Sequence, residues 1–182
     1  NASGLKVISM ALLLKSRDSA VVWRGPMKMA ALKQFISEVN WGDLDFLLVD
    51  LPPGTSDEPI SAAQLISGLD GAVVVTTPQE VALLDSRKAV NMFRLMEVRV
   101  LGIVENMSGL ICPHCGEKIE VFKTGGGVRA AQELDVPFLG TIPLDAEIGR
   151  LGDMGQTFTT KETPAARAFD RVVGAVLARL HG

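Results

Sequence analysis

The sequence predicts an α/β fold, a doubly wound and mostly parallel sheet with helices on both faces. Apolar segments of strand length alternate with amphipathic helical segments along the chain, which is the pattern of repeated β–α units. Hydrophobic residues make up 47% of the sequence, and this content suits a parallel sheet buried on both faces. A length of 182 residues is that of one ordinary domain, so we predict a single domain over residues 1–182.

The strands are predicted from short apolar runs that are rich in β-branched residues and bounded by turn-forming residues. These runs lie at residues 5–10, 20–23, 44–49, 71–76, 99–105 and 136–142. The helices are predicted from apolar residues that recur at helical spacing. They lie at residues 25–39, 57–67, 80–96, 125–134 and from residue 164 onward. Thr163 is a good N-cap for the last helix, and Pro164 fits its first turn.

Charge and hydropathy exclude several classes of partner. The net charge is −3 and no long Lys/Arg run occurs, which argues against a nucleic-acid surface. No apolar segment reaches transmembrane length and no signal-peptide pattern opens the chain, so we predict a cytoplasmic protein without a membrane partner. Arginines on the last helix leave a membrane-surface helix as an alternative, although its apolar stripe is more typical of a core face.

The predicted strand at residues 44–49 ends on Asp50 and then breaks into Pro52-Pro53-Gly54. Open α/β sheets place their ligands at the C-terminal ends of strands, and a carboxylate there suits Mg²⁺ with a nucleotide. Gly54 brings a backbone N–H close to a phosphate without a Cβ in the way. The alternative is a strand that ends in a turn capped by Asp50.

Two further segments are candidates for binding a nucleotide base. Asn106 follows the strand at residues 99–105, and its amide offers the donor and the acceptor that a purine edge requires. Pro143 and Asp145 follow the last predicted strand and could flank the base. As isolated residues, Asn106 is also typical of a turn, and Pro143 and Asp145 are more typical of the start of a helix.

The segment Cys112-Pro113-His114-Cys115-Gly116 predicts a metal site, since the two-residue gap lets both sulfurs face one metal. A redox pair would open a helix, whereas Gly116-Glu117-Lys118 indicates a knuckle or hairpin. Two thiolates do not fill a tetrahedral site, so a two-fold dimer that donates two cysteines per subunit would build a Cys₄ site for a 4Fe–4S cluster or zinc. The alternatives are His114 as a further ligand, cysteines in a segment that precedes residue 1, and a pair of unreactive cysteines.

The positions of glycines and lysines show whether the sequence contains a phosphate-binding loop. A phosphate-binding loop G-x-x-x-x-G-K-[S/T] does not occur, because none of the eight lysines follows a glycine. We therefore expect one or more βα units to precede residue 1. Gly125-Gly126-Gly127 before a helix could bind an anion, but a tight structural loop is the favoured interpretation.

Several motifs in order resemble the Mrp/ApbC-type iron–sulfur cluster carrier ATPases, which are relatives of the MinD/ParA deviant-Walker group. The resemblance runs from about Val7 to the C-terminus. Its motifs are Trp23-Arg24-Gly25-Pro26-Met27-Lys28, Asp50-Leu51-Pro52-Pro53-Gly54-Thr55-Ser56-Asp57-Glu58, Val104-Glu105-Asn106-Met107-Ser108, Cys112-Pro113-His114-Cys115-Gly116 and Gly125-Gly126-Gly127.

The resemblance implies the C-terminal portion of a P-loop ATPase domain that forms a homodimer, binds ATP with Mg²⁺ and passes a bridging 4Fe–4S cluster to apo iron–sulfur proteins. It implies that Cys112 and Cys115 ligate the cluster, with zinc as a possible substitute. It also implies that Asp50 is the Walker B-type carboxylate near Mg²⁺ and that Gly54 lies in the loop that senses the γ-phosphate. Asn106 would read adenine, with Pro143 and Asp145 beside it.

The sequence departs from the family pattern in two ways. The family's phosphate loop and its cross-dimer lysine have no counterpart, so these residues alone are predicted to be inactive as an ATP hydrolase. Lys123 follows Phe122 where the family pattern has a glycine. Two other functions compete with the cluster carrier. They are a MinD/ParA-like positioning ATPase, which gives the cysteines no role, and a non-catalytic zinc-binding dimerisation module.

Overall fold

The computed structural model describes residues 4–14, 16, 25–112 and 114–181. The chain divides into two compact units, Asn1–Leu69 and Asp70–Gly182. The strand predicted at residues 20–23 and the motif residues Trp23 and Arg24 lie outside the described residues.

The described part of the first unit contains helices α1 (Met10–Leu13), α2 (Gly25–Ser37) and α3 (Asp57–Leu65). Helices α2 and α3 pack against each other, close to the bounds that the sequence predicts for them. Ser9 caps α1 by accepting a hydrogen bond from the backbone N–H of Ala11. Asp57 and Glu58 lie in the first turn of α3, where negative charge is favourable toward the helix dipole.

The strands predicted at residues 5–10 and 44–49 are wrong. Neither segment pairs with another strand among the described residues, and Met10 begins helix α1 instead. The segment at residues 44–49 leaves Phe46 54% and Leu48 89% exposed. An apolar run becomes a strand only when a neighbouring backbone takes its N–H and C=O groups, and the described residues supply no such neighbour here.

The second unit is built on a parallel three-stranded sheet in the order β1-β2-β5. Its strands are β1 (Ala72–Thr76), β2 (Val100–Glu105) and β5 (Phe138–Thr141), with a separate antiparallel pair β3 (Leu110–Ile111) and β4 (Lys118–Ile119). Its helices are α4 (Glu80–Leu95), α5 (Gly126–Glu133), α6 (Ala146–Asp153) and α7 (Pro164–Leu180). The predicted α/β class is confirmed.

Neighbouring side chains of β2 point to opposite faces of the sheet, and each face carries its own core. On one face Ile103 packs with Leu83 and Val90 of α4 and with the alanines of α5. On the other face Val104 packs with residues of β5 and with Val172 of α7. Helices therefore cover both faces, as the sequence predicts.

The ends of the second unit show how its elements are bounded. Thr163 caps α7, since its Oγ1 accepts from the N–H of Ala166 over 3.1 Å, as predicted. At the other side of the sheet, β1 pairs only with β2 among the described residues, and its Val73 and Val75 are 38% and 59% exposed.

Each helix in the described part of the chain is too short or too polar to cross a membrane.

Candidate functional site

The two cysteines lie in the turn of a hairpin, residues 109–124, which we call the cysteine hairpin. Its strands β3 and β4 pair Leu110 with Ile119 and Ile111 with Lys118. The N–H of Cys112 donates to the carbonyl of Glu117, and the N–H of Gly116 donates to the carbonyl of Cys112, both over 2.9 Å. Gly116 has φ +74°, a conformation that favours glycine. The predicted hairpin is confirmed, and the pair does not open a helix as a redox pair would.

The two thiols are free, with Cys112 half-buried and Cys115 exposed. The backbone N–H of Cys115, and to a smaller extent that of His114, hydrogen-bonds to the sulfur of Cys112 and lowers the pKa of its thiol. Because the thiolate is the form that binds metals, this turn prepares Cys112 as a ligand.

In the part of the chain that the structure describes, no third metal ligand lies close to the cysteine pair. Within residues 4–14, 16, 25–112 and 114–181, no group of three His, Cys, Asp or Glu side chains converges in a way that could hold a metal ion. His114 is exposed, and it acts on Cys112 through its backbone. Two thiols alone leave the coordination shell of a tetrahedral metal half filled.

Asn106 lies just beyond the C-terminal end of β2. Its N–H donates to the carbonyl of Thr76 over 2.7 Å, which fixes the start of the loop beside β1. Its Oδ1 accepts from the N–H of Met107 over 2.9 Å, and Met107 adopts a left-handed φ of +55°. The Nδ2 group has no partner among the described residues, so the side chain keeps a donor available.

Pro143 and Asp145 follow the neighbouring strand end. The N–H of Ile142 donates to the carbonyl of Glu105 over 2.9 Å, so the chain after β5 runs beside the chain after β2. The structure thus brings Asn106 and Pro143 to adjacent strand ends. Asp145 is the N-cap of α6, since its Oδ1 accepts from the N–H of Glu147 over 2.9 Å. It has the helix-starting role that the sequence suggested.

Asp50 and Gly54 lie in the first unit, and both are exposed. Because residues 44–49 form no strand, Asp50 does not follow a strand end as predicted. Gly54 has φ +90°, and no heavy atom of a described residue lies within 4 Å of the place where a Cβ would be. The role of its N–H toward a phosphate stays a prediction.

Glu105 is a residue that the sequence reasoning missed. It is completely buried at the end of β2. Its Oε1 accepts from Ser108 Oγ over 2.5 Å and from the N–H of Gly125 over 3.1 Å. Its Oε2 accepts from the N–H of Gly127 over 2.6 Å. A carboxylate that ends an apolar strand ahead of a three-glycine helix start was the available indication.

The three glycines before α5 are structural, in agreement with the favoured interpretation. The amides of Gly125 and Gly127 bind Glu105 rather than an external anion. A Cβ on Gly126 would lie 2.7 Å from Leu83 Cδ1, and one on Gly127 would lie 2.9 Å from Glu105 Cβ. Only glycine lets the start of α5 approach the sheet this closely.

Comparison with known proteins gives a family and a set of relatives. Residues 1–177 match the ParA family described as NUBPL iron-transfer P-loop NTPase. The chain is 46% identical over 177 residues to the iron-sulfur cluster carrier protein of Methanococcus maripaludis. The aligned region covers 97% of this chain and 61% of that relative. The chain thus spans about three fifths of the length of that relative.

Solved structures show the same fold. A nucleotide-binding protein from Archaeoglobus fulgidus in complex with ADP is 37% identical, with a TM-score of 0.67 over 79% of this chain and 58% of that one. The cell division ATPase MinD of Pyrococcus furiosus is 23% identical, with a TM-score of 0.61 over 87% of this chain and 63% of that one. These likenesses support the P-loop NTPase-like fold, and with the match over residues 1–177 they show that the chain belongs to the ParA-type family of NUBPL iron-transfer P-loop NTPases.

Proposed function

We propose that this chain is part of an ATP-dependent carrier that holds a 4Fe–4S cluster between two copies and passes it to apo iron–sulfur proteins in the cytoplasm. The carrying observation is the pair of free thiols, Cys112 and Cys115, in the turn of the cysteine hairpin with no third ligand nearby among the described residues. Two copies supply four thiolates, which is the usual ligand set of such a cluster. The 46% identical relative, an iron-sulfur cluster carrier protein, supports this function.

The hairpin suits a cargo that must be released. Cys115 is exposed, so a recipient protein can reach the cluster from the solvent side. The turn lowers the thiol pKa of Cys112 and so favours the thiolate form that binds metals. An exposed ligand set of this kind binds a cluster that thiols of another protein can compete for.

Nucleotide binding is proposed for a chain that also contains a phosphate-binding loop. The ADP complex of the 37% identical Archaeoglobus protein supports a nucleotide site in this family. Bound ATP with Mg²⁺ would supply the free energy of hydrolysis. In this chain Asp50 would lie near the Mg²⁺ ion, and Gly54 would donate its N–H to a phosphate. Asn106 would donate from Nδ2 to the base. Pro143 and Asp145 would lie beside that base.

The cluster proposal is tested by anaerobic reconstitution with iron, sulfide and a thiol reductant. The wild-type chain is expected to turn brown and to double its mass in solution as the cluster binds. Cys112→Ser and Cys115→Ser are expected to lose the colour and to remain monomeric. His114→Ala, which alters the same turn without removing a thiol, is the matched control and should load normally.

Three outcomes would contradict the cluster proposal. One is a Cys112→Ser chain that loads as wild type does. Another is a loaded chain of monomer mass, which would leave no role for a second copy. A colourless preparation that retains zinc would favour the zinc-binding dimerisation module instead.

The ATPase proposal has its own test. These 182 residues, which lack the G-x-x-x-x-G-K-[S/T] loop, are expected to release no phosphate from Mg-ATP above background. A longer chain that includes such a loop is expected to hydrolyse ATP, and Asp50→Asn should slow it strongly while leaving cluster loading intact. Unchanged hydrolysis in Asp50→Asn would remove the assigned magnesium role.

A further inference from the structure

We propose that Glu105 is a positioning residue that closes the base of the cysteine hairpin and thereby fixes the two thiols for metal binding. The proposal rests on the proposed metal-binding role of Cys112 and Cys115. Glu105 touches neither thiol, so its effect passes through the two ends of the hairpin.

Both ends of the cysteine hairpin meet at the Glu105 carboxylate. Ser108, which precedes the hairpin, donates from Oγ to Oε1 over 2.5 Å. Gly125, which follows it, donates from its N–H to the same oxygen over 3.1 Å. Gly127 donates to Oε2 over 2.6 Å. One side chain therefore joins residues that are separated by the whole length of the hairpin.

The burial of this carboxylate makes the junction stiff. Glu105 has no exposed surface, and every partner donates to it, which matches the acceptor-only chemistry of a carboxylate. No Lys, Arg or His among the described residues forms an ion pair with it, so the three donors and the N-terminus of α5 balance its charge. Charge-assisted hydrogen bonds of this kind are about twice as strong as neutral ones.

The other contacts of the hairpin base fix its first end only. The N–H of Ser108 donates to the carbonyl of Ile142 over 3.0 Å. The carbonyl of Gly109 accepts from the N–H of Leu144 over 2.8 Å, and Leu110 bridges to Leu144. Among the described residues, the returning end hydrogen-bonds to the sheet through Gly125 and Gly127, while Ala130 and Ala131 further along α5 pack into the core. Removing Glu105 would release that end and, with it, the strand that returns from Cys115.

The test compares three variants. Ser108→Ala removes one donor. Glu105→Gln replaces one of the two carboxylate oxygens by an NH₂ group, which cannot accept from the N–H of Gly125 or Gly127. Ser86→Ala is the matched control, because Ser86 is a buried serine on α4 whose Oγ donates to the carbonyl of Ala82 over 2.9 Å. Ser108→Ala carries the test if Glu105→Gln does not fold.

The first measurement needs no metal. Hydrogen exchange in peptides covering residues 109–127 is expected to be about fivefold faster in Ser108→Ala and faster still in Glu105→Gln, while Ser86→Ala matches wild type there. Equal exchange in all four proteins would overturn the proposal. Faster exchange confined to α5 in Glu105→Gln alone would reduce Glu105 to a helix cap and would also overturn it.

The second measurement is titration with Co²⁺, followed by the thiolate-to-cobalt charge-transfer absorbance. Ser108→Ala and Glu105→Gln are expected to raise the Kd for Co²⁺ by about tenfold or more, the range typical of residues that orient metal ligands, with Ser86→Ala unchanged. Unchanged Kd values in both variants would refute positioning. A wild-type chain that binds no Co²⁺ while the exchange pattern holds would instead count against the proposed metal function and leave the closure of the hairpin by Glu105 supported.

Discussion

Lys28 and Glu58 form an ion pair that joins α2 to α3, with Nζ 2.6 Å from Oε1. The other carboxylate oxygen of Glu58 accepts from Ser56 Oγ over 2.6 Å. The pKa of Glu58 is lowered to about 2. The hydrogen bond from Lys28 is the largest cause of this shift, and that from Ser56 is the second. The Glu58 carboxylate is thus ionised at pH values well above 2.

Replacing Lys28 by methionine is expected to raise the pKa of Glu58 toward its ordinary value of 4.5, because the largest stabilising contact of the carboxylate is lost. NMR titration of the Glu58 carboxyl carbon measures this shift. Ser56→Ala is expected to raise the pKa less. A titration that is the same in Lys28→Met and wild type would contradict the ion pair.

The same pair predicts a pH dependence of stability. Because the folded-state pKa is depressed, its contribution is complete above about pH 4.5 and is lost as the pH falls toward 2. The pair is partly exposed, so we expect Lys28→Met to lower the free energy of unfolding by about 0.5–1 kcal/mol at pH 7. Urea unfolding at pH 7 and pH 2.5 should show this difference shrinking at the lower pH.

The lowered thiol pKa of Cys112 predicts its reactivity. In Cys115→Ser the backbone N–H of residue 115, which is the largest cause of the shift, is retained. The rate of alkylation by iodoacetamide should therefore rise with a midpoint below the value of about 8.5 for an ordinary thiol. The same variant unfolded in urea should return to that value. Equal midpoints in the two states would show that the turn does not act on the sulfur.

Lys123 predicts a stabilising substitution. It has φ +68°, a left-handed conformation that is strained for a residue with a Cβ. This is the position at which the resemblance predicts a glycine, and the left-handed backbone gives a physical reason for that expectation. Lys123→Gly is expected to raise the free energy of unfolding by about 0.5–1 kcal/mol. Lys161→Gly, at a position without positive φ, should instead lower it.

Two glycines in helices predict changes of opposite sign. A Cβ on Gly126 would lie 2.7 Å from Leu83 Cδ1 and 2.8 Å from the carbonyl of Pro78, so Gly126→Ala should cost about 1–3 kcal/mol by overpacking. A Cβ on Gly174 in α7 would meet no atom of the described residues within 4 Å. Gly174→Ala should therefore stabilise the protein by about 0.5–1 kcal/mol. Thermal unfolding of the two variants against wild type distinguishes them, and a stabilising Gly126→Ala would contradict the packing at α5.

Much of the second unit could be predicted from the sequence. Its apolar segments form strands because β1, β2 and β5 pair with one another. The strand predicted at residues 99–105 forms at Val100–Glu105, and the helix predicted at residues 80–96 forms at Glu80–Leu95. The strand predicted at residues 44–49 fails for the complementary reason. Its apolar pattern is local, whereas the backbone pairing that makes a strand depends on neighbours that the pattern does not specify.

Part of the candidate site could be predicted from the sequence and part could not. The hairpin around Cys112 and Cys115 follows from the spacing of the cysteines and from Gly116. Glu105 was not found, because its partners lie three, 20 and 22 residues further along the chain. The carboxylate at the end of an apolar strand was an indication, but the sequence does not show which distant groups donate to it, and the fold does.

The outer side of β1 has a consequence for preparing this chain at high concentration. Val75 stands 59% exposed on a strand whose second edge pairs with nothing among the described residues. Valine-rich edges of this kind template the addition of strands from other molecules, which leads to aggregates rather than defined oligomers. A single lysine in place of Val75 would put a charge on that edge and leave the buried Val74 in place, a simple route to a more soluble sample.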